Sequence, residues 1–583
     1  MGYTKNITKG LLVLFLFSIA ISCTKDNNSS DDPVIPKTMD EMVIGNDFNW
    51  TAALKGKLNI SFNNPNNVST EKEIINIINN NDEIVKRAKI TNGTVNFDIT
   101  LPQNATYYIH FPVTGDKMPI TTTGDIEMQL GTTIPDTVVN KSKTIKLDDI
   151  TSCTTCDNPM VNAGAEFPAI NSGFSITHQN NIPGWETTAS DHRIEIWRSG
   201  FQGVPAQEGN QFFELNANMV ADLFQELCLE PGSTIKWSVW HRGRSGVDVA
   251  EVKIGATVAS AVALQVMTDG NNSWGYYSGS YTVPEDQETT FFVFSSVSSA
   301  GSASVGNFLD NFEIECDFDG DGVPDDEDDD PGNADVTYVS YFPTSGKQVV
   351  AFEDLWPSTG DFDFNDLTMS NKVKINKDNN FNLLSADFTI SIDAIGADIH
   401  NGIGMMLYKE NGDAFNDNII ATITGDAVLD EDNSNGIILT NDVFEAISEY
   451  YQNNGVGPTA TPDTLKFTVT FNSNAEEFIP ELYIFRSFDR SYEIHRSNFP
   501  ATEAMDNTLF NTIDDKGNYK TENGLPWGLE IILEGDYKSP KERVDMLKAY
   551  PEFREWATSE GTQNTDWYLS PVEENVVDIF SKK

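Results

Sequence analysis

The chain has 583 residues, a length that at roughly 150 residues per domain predicts three or four domains. It carries 38 Lys+Arg against 88 Asp+Glu, a formal net charge of −50. Such a balance repels polyanions and excludes a general nucleic-acid binder. Hydrophobic residues make up 39% and aromatics 11%, with 41 Gly, 25 Pro and few long helical patterns. That composition is too aromatic for a disordered chain and predicts mostly β structure.

Residues 1–23 have the parts of an export signal. Lys5 and Lys9 give a positive start, and Leu11 to Ile21 is an apolar run too short to span a bilayer. Ala20-Ile21-Ser22-Cys23 then resembles a bacterial lipobox. The resemblance implies that Cys23 is lipidated, anchoring the chain through acyl burial at about 0.8 kcal/mol per CH₂. Thr24 after the cysteine resembles outer-membrane sorting, and the acidic tract Asp26 to Asp32 resembles a surface-export tether. The expected location is the outer membrane, facing outward. Four further cysteines, Cys153, Cys156, Cys228 and Cys316, allow three pairings in an oxidising exterior.

Residues 24–40 read as a flexible tether. Residues 41–135 alternate apolar and polar, as in Lys57–Phe62, Thr94–Ile99 and Tyr107–Phe111, and predict a small β-sandwich. Within it, Asn79–Asp82 reads as a hairpin turn between strands Glu73–Ile78 and Glu83–Ile90. A linker, 136–160, precedes a second β unit at 161–316, which holds five of the ten Trp. Residues 336–583 make a β-rich third unit with minor helix. Its expected strands are Leu384–Ile392, Leu465–Phe471 and Leu482–Phe485; helices are expected at Val443–Tyr451 and from Ser539-Pro540.

The acidic segment 317–335 has ten carboxylates and no basic residue. Counted from Asp317, side-chain oxygens fall at Asp317, Asp319, Asp321, Asp325 and Asp328. Gly322 sits at the sharp turn and the Val323 carbonyl follows it, which is calcium-loop spacing. DxDxDGVPDxxD resembles a single thrombospondin type 3 repeat, and Ca²⁺ is the expected cofactor, stiffening the linker. A second acidic motif gathers Glu353, Asp354, Asp361, Asp363, Asn365 and Asp366 around Gly360, with Phe362 and Phe364 alternating as in a strand. It suits a second Ca²⁺. This motif, with Tyr492–His495, Leu525–Trp527, Ala549–Trp556 and Asp566–Tyr568, resembles the LruC-type domain of bacterial surface lipoproteins.

Residues 161–316 resemble galactose-binding-like jelly rolls, the scaffold of many carbohydrate-binding modules, at Val161–Phe167 and Asn307–Glu313. The resemblance implies a structural Ca²⁺ shared by Glu166 and Asp310. Sugar binding needs aromatic faces beside polar and charged side chains. Two clusters offer them: Arg193, Glu195, Trp197 and Arg198, then Trp240, His241, Arg242 and Arg244, with Trp274, Tyr276 and Tyr277 adding aromatic surface. Six scattered His and no HExxH, GxSxG or P-loop argue against an enzyme. With 88 acidic residues, paired carboxylates for glycoside hydrolysis carry no signal. The expected partners are therefore the membrane, through the anchor, and a glycan or another surface protein.

Overall fold

The computed structural model describes residues 35–63, 74–112, 114–130, 160–325, 327–448, 451–453, 459–473, 475–577 and 580–581. The signal segment, Cys23, Cys153 and Cys156 lie outside the described residues, as does nearly all of the 136–160 linker. The described chain is mostly β, in several sheets with few and short helices. None of the described helices is long and apolar enough to cross a membrane.

In the first unit a three-stranded sheet, centred on Leu54–Asn63, faces a four-stranded sheet ordered Ile84–Lys89, Ile74–Ile78, Tyr108–Phe111, Asp116–Pro119. Alternate residues Leu58, Ile60, Val95, Phe97, Ile99 and Ile109 fill the space between them. This is the one-face burial that a period of two dictates. The turn after Ile78 is set locally, since the Asn79 side chain accepts from Asn81 N (2.9 Å) and Glu83 N (3.1 Å).

The second unit is a sandwich of two antiparallel sheets. One sheet has six strands, ordered Gly275–Thr282, Thr234–Arg242, Phe308–Asp317, Gln211–Glu214, Arg193–Arg198, Phe174–His178; the other has five. Ile194, Ile196, Ile235, Trp237 and Val239 point inward against Val252, Ile254, Phe292 and Phe294. Cys228 and Cys316 are disulfide-bonded.

The third unit sets an eight-stranded sheet, centred on Leu367–Lys377 and Leu383–Ile395, against a five-stranded sheet centred on Asn401–Lys409 and Phe478–Arg486. A second core lies on the other side of the large sheet. There Trp556, Trp567, Tyr550 and Phe553 pack with Met39, Met42, Phe48 and Trp50. Thr51–Ala52 adds a parallel strand to Gly528–Leu533, with Thr51 opposite Glu530. The boundaries expected at residues 40 and 41 are thus corrected, because residues 39–52 belong to the C-terminal core. Their large apolar side chains find burial there, Phe48 and Trp50 packing on each other and on Phe553 and Trp556 far along the chain.

Two helix expectations are corrected as well. The first helix covers only Val443–Ala446, capped by Asp442, whose side chain accepts from Phe444 N. Ser539–Pro540 is a short strand pairing with Val576–Val577. The helices that follow are Met546–Ala549, capped by Asp545, and Phe553–Thr558.

Candidate metal centres and ligand groove

Asp317 ends the strand Phe308–Asp317, and the acidic loop then folds back on its own backbone. Gly322 N donates to Asp317 Oδ2 (3.2 Å), Asp321 N to Asp319 Oδ1 (3.1 Å) and Val323 N to Asp321 Oδ1 (2.7 Å). Gly320 and Gly322 take φ of 79° and 100°, the left-handed turns this winding requires. Carboxylate oxygens of Asp317, Asp319 and Asp321 come within 4.8 Å of one another. Asp317 Oδ1, Asp319 Oδ2 and Asp328 Oδ2 are buried without a hydrogen-bond partner. Burial, and then the charges of Asp321, Asp319 and Asp329, push the Asp328 carboxyl up to about 7. Unpartnered buried oxygens that repel one another are what a hard divalent cation neutralises. Asp325 is oriented differently: its Oδ1 accepts from Phe318 N at 2.7 Å.

The second cluster is deeper. Glu353 and Asp363 are fully buried, and oxygens of Glu353, Asp361 and Asp363 lie within 4.8 Å of one another. The segment 361–366 is not a strand, which corrects that expectation. Phe362 and Phe364 take positive φ of 54° and 51°, and this alternation sends both rings into the core beside Trp556 while the carboxylates face the other way. Phe364 N donates to Glu353 Oε1 (2.7 Å) and Arg543 N to Asp363 Oδ2 (2.7 Å). Glu353 Oε2, Asp354 Oδ1 and Asn365 Oδ1 remain buried and unpartnered. Burial and then the neighbouring Asp366 and Asp363 raise Glu353 well above the carboxylate range; burial and then Asp354 push Asp366 up to about 9. Asp354, also buried, turns to Asn401 Nδ2 (2.7 Å) and Arg486 (3.6 Å). A Cβ at Gly360 would sit 1.9 Å from Glu353 Oε2, so any other residue here must displace that buried carboxylate.

Glu166 and Asp310 pin one loop from opposite ends. Glu166 Oε1 accepts from Asn210 N (2.6 Å) and Gln211 N (2.9 Å), and Asp310 Oδ2 accepts from Gln207 N (2.7 Å). Neither belongs to a group of three clustered carboxylates among the described residues.

The expected contact residues of the second unit are mostly interior, which corrects the expected ligand surface. Trp197 is 1% exposed and lies under Phe174, Phe201 and Phe308. Its Nε1 donates to buried Glu195 at 2.8 Å. Glu195 stands directly across the ladder from Glu214; burial and then that second carboxylate raise it. Arg244 answers the pair, holding both Glu214 oxygens at 2.8 Å with its guanidinium 4.6 Å from the centre of the Trp197 ring. His241 is enclosed between Asp269 (2.8 Å) and Asn307 (3.0 Å), and Arg242 is also buried. Arg198 is half-buried on the Ile170 carbonyl, and Arg193 alone of these is exposed. Arg244 stands over Trp197 because the buried Glu195/Glu214 pair needs a neutralising charge there; Arg198 and Arg242 instead donate to the Ile170 and Asn271 carbonyls.

An open groove of about 400 Å³ lies on the outer face of the same six-stranded sheet. Three strands build it in rows. Tyr276 stands opposite Trp240, Ser278 opposite Ser238, and Ser280 opposite Lys236. On the other side Ser238 faces Glu313, with Oγ 3.1 Å from Oε2, and Lys236 faces Glu315. Tyr276 is 55% exposed and its ring centre lies 5.1 Å from that of Trp240. Under the floor, the Trp237 indole nitrogen is buried without an acceptor. Alternation within each strand was readable in the sequence; which strands lie side by side was not.

Residues 382–568 match the family described as a domain of unknown function, DUF4842. No curated protein matches the chain. Among solved structures, the chain is similar to a predicted lipoprotein of Bacteroides ovatus at 14% identity, covering 57% of this chain and 99% of that one, with a TM-score of 0.30. It is also similar to the C-terminal family 22 carbohydrate binding module of Clostridium thermocellum Xyn10B, at 15% identity over 27% of this chain and 94% of that one, TM-score 0.20. A cyclase from Fischerella is similar at 17% identity over 27% of this chain and 96% of that one, TM-score 0.21.

Proposed function

We propose that this protein is a non-catalytic, calcium-stabilised lipoprotein of the outer membrane that captures glycan on the outer face of its six-stranded sheet. The observation that carries the reading is the groove itself: an exposed tyrosine, flanked outside the lining by half-buried Trp240, followed by rows of Ser, Lys and Glu. Aromatic faces take the C–H faces of sugar rings, and the polar rows take hydroxyls. Ca²⁺ occupies two centres. One is the 317–328 loop, acting as a single thrombospondin type 3-like repeat; the other is the Glu353/Asp361/Asp363 cluster of an LruC-like domain. What supports the metal is the set of buried, unpartnered oxygens at each. Anchoring is through Cys23.

The test is a glycan array probed with residues 24–583 in Ca²⁺ and again with chelator. The expected result is one saccharide class bound in Ca²⁺, with binding lost in Tyr276→Ala and Trp240→Ala. A bound glycan whose affinity is unchanged in both variants sinks the groove assignment. No glycan in either condition sinks capture and points to a protein partner.

A further inference from the structure

A second concave surface lies between the first unit and the third. It is a cleft of about 880 Å³, walled by the strands Ile84–Lys89 and Thr94–Leu101 on one side and the turns at 378–381, 409–412 and 476–477 on the other. Into it the chain brings Lys57, Lys86, Arg87, Lys89, Lys377 and Lys409. These are six of only 38 basic residues in a chain of net charge −50. Four acids share the wall, Asp98, Glu410, Glu476 and Glu477, and Asp329 behind it pairs with Arg87 at 3.0 Å, so the formal balance is 6 − 5 = +1.

The floor holds that excess. Buried Lys86 and buried Lys377 share one carboxylate, Glu477, with Lys86 Nζ 2.8 Å from Oε2 and Lys377 on Oε1. Two ammoniums on one carboxylate leave a positive charge in a low-dielectric setting, where it acts further than it would in water. Glu410 adds little negative charge, since burial and then a hydrogen bond with Asp98 push it up to about 9. Above the floor the walls are hydroxyl and amide: Thr91, Thr94, Asn96, Asn380 and Asn411. One ring, Phe381, is half-exposed and stacked on Tyr338 with centroids 4.0 Å apart.

We infer that this cleft binds a carboxylate-bearing oligosaccharide, a glycan containing uronic acid, at a site separate from the sheet groove. The ammonium groups meet carboxylates, the amide and hydroxyl walls meet sugar hydroxyls, and the ring offers one stacking face. A long polyanion such as nucleic acid is disfavoured by the charge of the whole molecule and finds no row of exposed rings for its bases.

The experiment is calorimetric titration of residues 24–583 in Ca²⁺ with oligosaccharides of glucuronate, galacturonate and mannuronate, and with neutral oligosaccharides of matched length. The variant reverses three wall lysines that lie above the buried floor: Lys57→Glu, Lys89→Glu and Lys409→Glu together. The expected result is binding of at least one uronate, weakening as salt rises and falling more than ten-fold in the variant. Thermal denaturation of the variant checks that it folds. The inference is overturned if no uronate binds, if the neutral sugar binds equally, or if affinity survives the variant. It is also overturned if short polyphosphate binds in place of any uronate. Loss of uronate binding in Trp240→Ala, with no loss in the lysine variant, would reassign it to the sheet groove. The two sites therefore fail independently.

Discussion

Single residues carry the most specific consequences. Gly360→Ala forces a methyl group against Glu353 Oε2 and should destabilise the protein by roughly 1–3 kcal/mol while weakening Ca²⁺ binding. Denaturant titration with and without Ca²⁺ measures both effects. The carboxyls around it also set a pH dependence. Asp363 and Asp366 are raised to about 8 and about 9 in the folded protein, against about 3.9 unfolded. The folded state thus binds more protons, and metal-free stability should fall as pH climbs from about 4 towards 9. Ca²⁺ holds the same groups ionised, so calcium-loaded protein should show little of that decline; equal slopes with and without Ca²⁺ would refute the centre. His495 is a separate case. It is fully buried between Glu481 (3.1 Å) and Glu493 (3.0 Å), and those carboxylates keep it charged against burial, at about 9. His495→Ala leaves buried Glu481 without its partner, while Glu493 keeps Arg490 and Thr502, and should cost about 3–5 kcal/mol by thermal denaturation.

At the scale of elements, local signals and partner choice separate cleanly. The Asn79 turn and the alternating strands of the first unit are set by neighbours within a few residues, and both are readable in sequence; the helix cap expected at Asn441 falls instead on Asp442. The Asp361–Asp366 segment shows the limit. Its alternation of acid and ring is real, but positive φ at Phe362 and Phe364 produces it, and no strand forms. The segment 39–52 shows the limit more strongly. Trp50 donates to the Gly524 carbonyl at 3.1 Å and packs near Phe553 and Trp556. Trp50→Ala should cost about 3–5 kcal/mol, and the fragment 336–583 should unfold at lower denaturant than the whole chain. Equal midpoints for fragment and whole chain would show that this strap adds nothing.

At the scale of the molecule, the acidic loop is where three units meet. Asn379 of the third unit donates to the Asp321 carbonyl (2.9 Å), Arg87 of the first pairs with Asp329 (3.0 Å), and Lys236 of the second donates to the Gly322 carbonyl. Chelation should therefore loosen all three together: a lower melting temperature, faster proteolysis within 317–335 and a larger radius of gyration by solution scattering. A chelated protein unchanged in all three would remove calcium from the joint.

Composition, alternation and the spacing of acids determined by themselves that this chain is mostly β, multidomain and carries two dense acidic motifs. These are local or summed properties, and neighbouring residues suffice to state them. Which residues face solvent was decided by the tertiary structure. Trp197 and His241 read as contacts until the sheet encloses them, Trp197 on Glu195 and His241 between Asp269 and Asn307; Arg244 is drawn onto Glu214, and Tyr276 gains its place only beside Trp240. The basic cleft arises in the same way, from strands nearly three hundred and more residues distant in the chain. Strand pairing and domain docking are set by burial summed over the whole molecule, and no local pattern encodes that sum.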